Sequence, residues 1–417
     1  MRPLVRCHES LTLDVEVQKL YALSVDVLME AAALGMVNAL RASPDLASRL
    51  DRVVALCGRG NNGGDALAVL RHLVFAGYDP PVAVVLAGPG LVTARRLDEA
   101  RRAGVRVVAA DDAAEVAAAV GGASLMLDGL AGAGYSGPRR PELTALCELV
   151  AGADCPVVAI DVPSGTGPSH PGAESVPPLR ATHTLCVTPL KAELYYPGNR
   201  PSAGVIIPVE DVFPVRPPRG STSSPSTDLL CAEDLGALLP DSDPDCHKGG
   251  RGAVSVFAGN RGTAGAAVLA CRSAAAAGAG SVTLLVREEL LPVLGAQLVE
   301  TMVRPVTDPG TRRFDACLAG PGWGADERNA ATLATLYDAA IPLVLDADAL
   351  HLLAAGTYGT RCSPLVLTPH PGEALSLLVI ATGGTVDDPE ALDLARRRLE
   401  LDTASAALDI AVRWGAV

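Results

Sequence analysis

The sequence predicts an α/β protein of two domains, each a parallel sheet covered by helices on both faces. Apolar runs of strand length alternate with Ala-rich and Arg-rich stretches of helical spacing along most of the chain. The alternation stops between Pro214 and Thr227, where Pro, Ser, Arg, Gly and Thr leave almost nothing to bury, and then begins again. A chain of 417 residues suffices for two ordinary domains, and a hydrophobic content of 49 % supplies a core for each. The expected boundaries are residues 1–213 for the first domain, 214–227 for a linker and 228–417 for the second.

In chain order, Leu20 to Leu40 has helical periodicity, with Leu28-Met29-Glu30 near its middle. Strands follow near Val53, Val82, Val105, Leu125 and Val157, and the first series closes around Pro208 to Phe213. The second series opens with Ala253 to Gly259 and continues through an Ala-rich helix and Ser281 to Val286. Its later strands are expected at Asp315 to Ala319, Pro342 to Leu345 and Leu365 to Thr368. Asp388 to Arg413 reads as one acidic and Arg-rich helix. The two series share a style but no aligned sequence, so they are not repeats.

The most informative stretch is Gly58-Arg59-Gly60-Asn61-Asn62-Gly63-Gly64-Asp65, which sits between an apolar run and a helical pattern. Strand, glycine loop and helix in that order make an anion cradle. The glycines are expected to take positive φ and approach a ligand, while the N–H groups of the first helical turn point at a phosphate. Asn61, Asn62 and Asp65 add more polar capacity than phosphate binding needs, which suggests an ion or chemistry as well. Gly58, Gly60 and Gly63 also fit the dinucleotide fingerprint of dehydrogenases, but that fingerprint wants an acidic residue after the next strand. Pro81 to Leu86 is followed by Ala87-Gly88-Pro89-Gly90, with no carboxylate.

Composition excludes several classes. Aromatics are 3 % of residues and the formal net charge is −13, so the chain offers neither stacking platforms nor a basic face for nucleic acid. No apolar run approaches membrane-spanning length, and charge interrupts the N-terminus too early for a signal peptide. The ten cysteines contain no C-x-x-C pair and mostly lie in apolar runs, as in a protein of a reducing compartment. A cytoplasmic location is expected.

Ligands of open α/β sheets bind at the carboxyl ends of the strands. In the first half, Asp128 follows one strand and leads into Gly129 to Pro138, while Asp161 follows another and leads into Val162-Pro163-Ser164-Gly165. An isolated Asp there is often a helix cap or turn former. Two glycine loops and two carboxylates meeting in one crevice favour a site instead. Lys191 is a further strand-end charge, either facing a phosphate or solvated.

These motifs together resemble a known family. Asn61 to Asp65, Asp128 to Gly132 and Asp161 to Gly165 are similar to the NAD(P)H-hydrate epimerase domain. His247-Lys248-Gly249, Gly262 to Ala267, Gly320 to Gly324, Asp346 to Leu350 and Thr368 to Glu373 are similar to the ADP-dependent NAD(P)H-hydrate dehydratase domain. The order is that of the bifunctional nicotinamide nucleotide repair enzymes.

The resemblance implies a Rossmann-like three-layer αβα domain followed by a ribokinase-like one. It implies that Asn61, Asn62, Gly63, Gly64 and Asp65 bind NADHX or NADPHX, with a second substrate loop of Gly132, Ala133, Gly134, Tyr135, Ser136, Gly137 and Pro138. Asn62, Asp128 and Ser164 would surround a potassium ion, and Asp161 would be the acid/base residue beside the damaged ring. Exchanging R and S hydrates at one ring carbon needs a proton donor or acceptor, not a hydride acceptor. Two positions depart from the family: Ala66 replaces a further glycine, and the segment after Gly165 lacks the acidic turn. Self-association is also implied.

For the second domain the resemblance implies substrate contacts at Ala266, Gly322 and His370, and ADP or ATP as co-substrate. Otherwise His370, between two prolines, is a turn residue, and Asp346 and Asp348 are caps of a strand-to-helix turn. The family's catalytic aspartate lies in a late Gly-x-Gly-Asp motif, which is missing after Glu373; Gly383-Gly384-Thr385-Val386-Asp387 is a poor substitute. The second domain is therefore expected to be C-terminally truncated, with exposed apolar sheet surface and no dehydration. The expected function is an epimerase fused to an inactive dehydratase-like domain. The alternatives are a fully bifunctional enzyme and a non-catalytic nucleotide sensor or scaffold.

Overall fold

A computed structural model of the chain describes residues 1–135, 141–166, 178–214, 227–239, 245, 247, 249–308 and 313–417. It divides into two compact units, Met1–Leu238 and Leu239–Val417.

The strands of the first unit are β1 (Arg2–Val5), β2 (Val53–Cys57), β3 (Val82–Val85), β4 (Arg106–Ala109) and β5 (Leu125–Gly129), then β6 (Val157–Ile160), β7 (His183–Val187), β8 (Leu190–Lys191), β9 (Val205–Val209) and β10 (Thr227–Leu229). Seven of them form a parallel sheet in the order β4-β3-β2-β5-β6-β7-β9. Every residue of β2, β5, β6 and β7 is buried, as expected when helices cover both faces. The chain runs outward from β2 through β3 to β4, then resumes on the other side at β5. The resulting crevice at the carboxyl ends of β2 and β5 is where a ligand fits.

The helix expected over Leu20 to Leu40 is two helices, Cys7–Tyr21 and Val25–Ala42. Ala22 breaks them with a left-handed φ of 53°, and Ser24 caps the second by accepting from Val27 N at 3.4 Å. Among the described residues no single helix is long and apolar enough to cross a membrane. A small sheet, β10-β1-β8, draws Thr227–Leu229 into the first unit through antiparallel pairing with β1. The second unit thus begins after residue 228, at Leu239. Sequence pattern could not place this strand, because its partner lies at the other end of the unit.

The second unit holds β11 (Ala253–Phe257), β12 (Ser281–Val286), β13 (Met302–Pro305), β14 (Ala316–Ala319), β15 (Leu343–Leu345) and β16 (Leu365–Leu367). All six are parallel, ordered β13-β12-β11-β14-β15-β16, so the order in which the chain adds strands reverses between β11 and β14. The expected helix from Asp388 to Arg413 is two, Pro389–Leu401 and Thr403–Trp414. Asp402 ends the first and caps the second, accepting from Ser405 N at 3.3 Å.

Those helices answer part of the expected exposure. Trp414, Ile410 and Ala406 join Leu365, Leu367, Leu377 and Leu378 in one core, so one face of β16 is covered. The other face is open where Val366 is 39 % exposed. Val417 pairs with the outer edge of β16, donating to Leu365 O and accepting from Leu367 N, each at 2.9 Å. Arg361 is buried beside this core. Its guanidinium donates to the carbonyls of Tyr337 and Pro364 at 2.8 Å and of Ile341 at 2.7 Å, and also to those of Ala339 and Ser363.

Candidate active site

Gly60 caps the helix Asn61–Phe75, whose first turn carries Asn61, Asn62, Gly63 and Gly64. None of the glycines from Gly58 to Gly64 takes positive φ, contrary to the expectation from sequence. Two of them are glycine for want of space. A Cβ on Gly58 would lie 1.8 Å from Leu130 O, and one on Gly63 would lie 2.1 Å from Gly58 O. The loop after β2 therefore crosses directly over the loop after β5, stitched to it by Gly58 N donating to Gly129 O at 2.9 Å. Asn62 is buried at this crossing, and its Nδ2 has no hydrogen-bond partner among the described residues.

Behind the loops lie Asp128 and Ser164, both with zero exposure. Asp128 Oδ2 accepts from Ser164 N at 2.7 Å, and Oδ1 accepts from Ser164 Oγ at 2.5 Å and Leu130 N at 3.3 Å. The Ser164 hydroxyl also accepts from Ala131 N at 2.8 Å. One buried carboxylate thus holds the loops that follow β5 and β6 together.

Asp161 leaves the end of β6 with a φ of 66°, a left-handed conformation unusual for a residue other than glycine. Its Oδ1 accepts from Val187 N at 3.1 Å and from Lys191 Nζ at 2.6 Å. Its Oδ2 has no bonding partner among the described residues. Lys191 is not solvated, one of the two roles its sequence position suggested: it is 4 % exposed and bound to Asp161. Burial alone would lower the Lys191 ammonium's pKa, but the Asp161 carboxylate more than offsets this and holds it above the ordinary lysine value.

These groups meet at a cavity of about 450 Å³. Asn61, Asn62, Asp65, Gly132, Ala133, Gly134, Tyr135 and Asp161 line it, together with Lys191. Gly63, Gly64, Asp128 and Ser164 stand behind the wall, where they shape it. Ser136, Gly137 and Pro138 lie outside the described residues. Burial pushes the Asp65 carboxyl well above the usual carboxylate range, and the charge of Asp161 adds to the effect. Asp14, Arg59, Thr188 and Phe213 also reach the cavity. Sequence inspection missed Asp14, Thr188 and Phe213, since none belongs to a glycine loop or directly follows one of the recognised strands; Arg59 lies within the glycine loop but was not singled out there.

In the second unit Ala266 and Gly322 come together at the reversal between β11 and β14. Gly322 has a φ of 58°, and a Cβ there would lie 2.9 Å from the Cβ atoms of both Ala266 and Thr263. Thr263 Oγ1 donates to Gly322 O at 2.7 Å. His370 stands two strands away, after β16, at the start of the helix Pro371–Ala381. Its Nδ1 accepts from Gly372 N at 3.0 Å, and its N–H donates to Glu373 Oε2 at 3.0 Å, so it caps that helix. Neither aspartate after β15 caps the helix Asp348–Ala355, whose N-cap is Ala347. Asp346 instead accepts from Thr368 Oγ1 at 2.9 Å and Asp348 from Gly324 N at 2.7 Å, tying neighbouring strand ends together.

Residues 25–192 match the family model for the YjeF-related protein N-terminus, and residues 254–401 match that for NAD(P)H-hydrate dehydratase. The bifunctional NAD(P)H-hydrate repair enzyme Nnr of Gloeobacter violaceus is 34 % identical over 368 residues, covering 84 % of this chain and 70 % of the relative. The enzyme of the same name from Thermofilum pendens is 28 % identical over 414 residues, covering 93 % of this chain and 76 % of the relative. Among solved structures, the Bacillus subtilis ADP/ATP-dependent NAD(P)H-hydrate dehydratase co-crystallised with ATP and Mg²⁺ is 29 % identical, with a TM-score of 0.36. It covers 44 % of this chain, which spans 63 % of that structure. The chain belongs to the bifunctional NAD(P)H-hydrate repair enzymes, with an epimerase domain followed by a dehydratase domain.

Proposed function

We propose that the first unit exchanges the R and S forms of NADHX and NADPHX at the cavity beside Asp161. The observation that carries this reading is the state of the Asp161 carboxylate: Asp161 lines the cavity, its Oδ1 is held by Val187 N–H and Lys191, and its Oδ2 has no bonding partner among the described residues. A carboxylate so placed can give or take a proton at a substrate atom within hydrogen-bond reach. The N–H groups of the turn beginning at Asn61 would receive the nucleotide's phosphates, as helix N-termini do. Leu11, Leu28, Met29 and Phe213 supply apolar wall against which a nicotinamide ring can exclude water.

Asn62, Asp128 and Ser164 fit a monovalent cation, in our proposal potassium. Their oxygens are hard donors carrying one negative charge, and the unpartnered Asn62 amide, turned about its last bond, offers its oxygen where the nitrogen now lies. When bound, the ion would supply a fixed positive charge near the phosphate-binding turn.

For the second unit we propose that these 417 residues retain the substrate-binding strand ends at Ala266, Gly322 and His370 but do not dehydrate. No Gly-x-Gly-Asp segment occurs between Ala253 and Val417. ADP or ATP would serve only a working dehydratase. Self-association, inferred from the resemblance, and a cytoplasmic setting complete the proposal; the nine cysteines among the described residues are free thiols, which suits a reducing compartment.

The test is an assay of purified protein on separated R and S NADPHX with potassium, with and without ADP or ATP. Isomer exchange without nucleotide-dependent recovery of NADPH absorbance is the expected result. Recovery would overturn the second proposal, and no exchange would overturn the first in favour of a binding protein.

A further inference from the structure

Lys191 has no role in the substrate loops or the cation set, yet it is the most deeply buried cation touching the cavity. Its position is specified from three sides. The ammonium donates to Asp161 Oδ1 at 2.6 Å and to Val187 O at 2.7 Å, while Val187 N donates to the same Oδ1 at 3.1 Å. Ammonium, peptide and carboxylate therefore close a small ring that leaves Oδ1 little freedom. Asp161 itself is anchored on a left-handed backbone by its own N–H, which donates to Leu185 O at 2.9 Å. A buried ammonium without partners is costly, so its retention at 4 % exposure points to the carboxylate it serves.

We infer that Lys191 is a positioning residue for the epimerisation: it fixes Oδ1 of Asp161 so that Oδ2 is the oxygen presented to the substrate. The inference rests on the epimerase reading above. Without the ammonium, Asp161 keeps one hydrogen bond from Val187 N–H and is free to rotate about its side-chain bonds. The two carboxylate oxygens then compete for that donor. A misplacement of about 1 Å at a reacting group costs about 100-fold in rate.

Lys191→Met keeps the volume of the side chain and removes its charge and donors. In the full chain, the expected result is a kcat about 100-fold below wild type, with KM for the R hydrate changed less than about threefold. Lys191→Arg, which restores a buried cation, should recover part of the lost kcat. A folded Lys191→Met variant with wild-type kcat, or one whose loss lies in KM alone, would overturn the inference by reducing Lys191 to packing or binding. If Lys191→Met does not fold, Lys191→Gln, which keeps one donor without the charge, is judged by the same split. Absence of exchange in the wild-type protein would instead remove the epimerase reading, and the inference with it.

Discussion

Ser164 is bound to Asp128 twice, through its N–H to Oδ2 at 2.7 Å and through its hydroxyl to Oδ1 at 2.5 Å, with both residues fully enclosed. This couples the loop after β6, which carries Asp161, to the loop after β5, which carries Gly132 and Tyr135. Ser164→Ala should lower stability by about 1–3 kcal/mol, since a buried carboxylate oxygen and Ala131 N–H each lose a partner. It should also abolish any rise in thermal midpoint on replacing choline chloride with potassium chloride. An equal potassium-dependent rise in wild type and variant would exclude Ser164 from the cation site.

Gly63→Ala places a methyl group about where Gly58 O now lies, 2.1 Å from the Cβ position. The turn from Gly58 to Gly63 cannot keep its shape. Loss of binding to the hydrate, together with a lower thermal midpoint, is the expected outcome; calorimetric titration and a melting curve check it. Gly60→Ala is the control, because nothing lies within 4 Å of a Cβ at that position.

Asp65 holds its proton more tightly in the fold than its ordinary value of 3.8, owing first to burial and then to Asp161. The folded state therefore binds more protons than the unfolded one above that pH, and stability falls as pH rises towards the folded value. Asp65→Asn mimics the neutral acid. Its thermal midpoint should match wild type near pH 4 and exceed it increasingly towards pH 7, as differential scanning fluorimetry across that range would reveal.

Asp161→Asn leaves the hydrogen-bonded shape largely in place while removing the proton acceptor. Epimerisation should fall by about 10²–10⁴-fold, the usual contribution of a general acid or base, with ligand still bound. Retained turnover would shift the role to another cavity carboxylate.

Arg361→Met should destabilise the second unit by about 3 kcal/mol, because several enclosed carbonyls lose their donor at once. Urea unfolding followed by the fluorescence of Trp323 and Trp414, both in that unit's core, would report it. A change below about 0.5 kcal/mol would mean that water replaces the guanidinium freely.

The sequence by itself determined the alternation of strands and helices, the two sheets, the glycine loop and the strand-end aspartates. Strands buried on both faces must be written as unbroken apolar runs, and ligand-binding groups of such sheets must follow them, so these features are local and readable. What only the tertiary structure decided are relationships across space. Gly58 and Gly63 are glycine because another stretch of backbone occupies the place of their side chains, not because of their own φ. Lys191 reads as a solvated or phosphate-facing charge until the chain brings it to Asp161, thirty residues earlier. Asp228 and Leu229 read as the start of a second domain until their strand pairs with β1. Pattern along the chain encodes which surface an element buries; which group fills the space beyond that surface depends on strand order and loop path, and those are set by the packing of the whole unit.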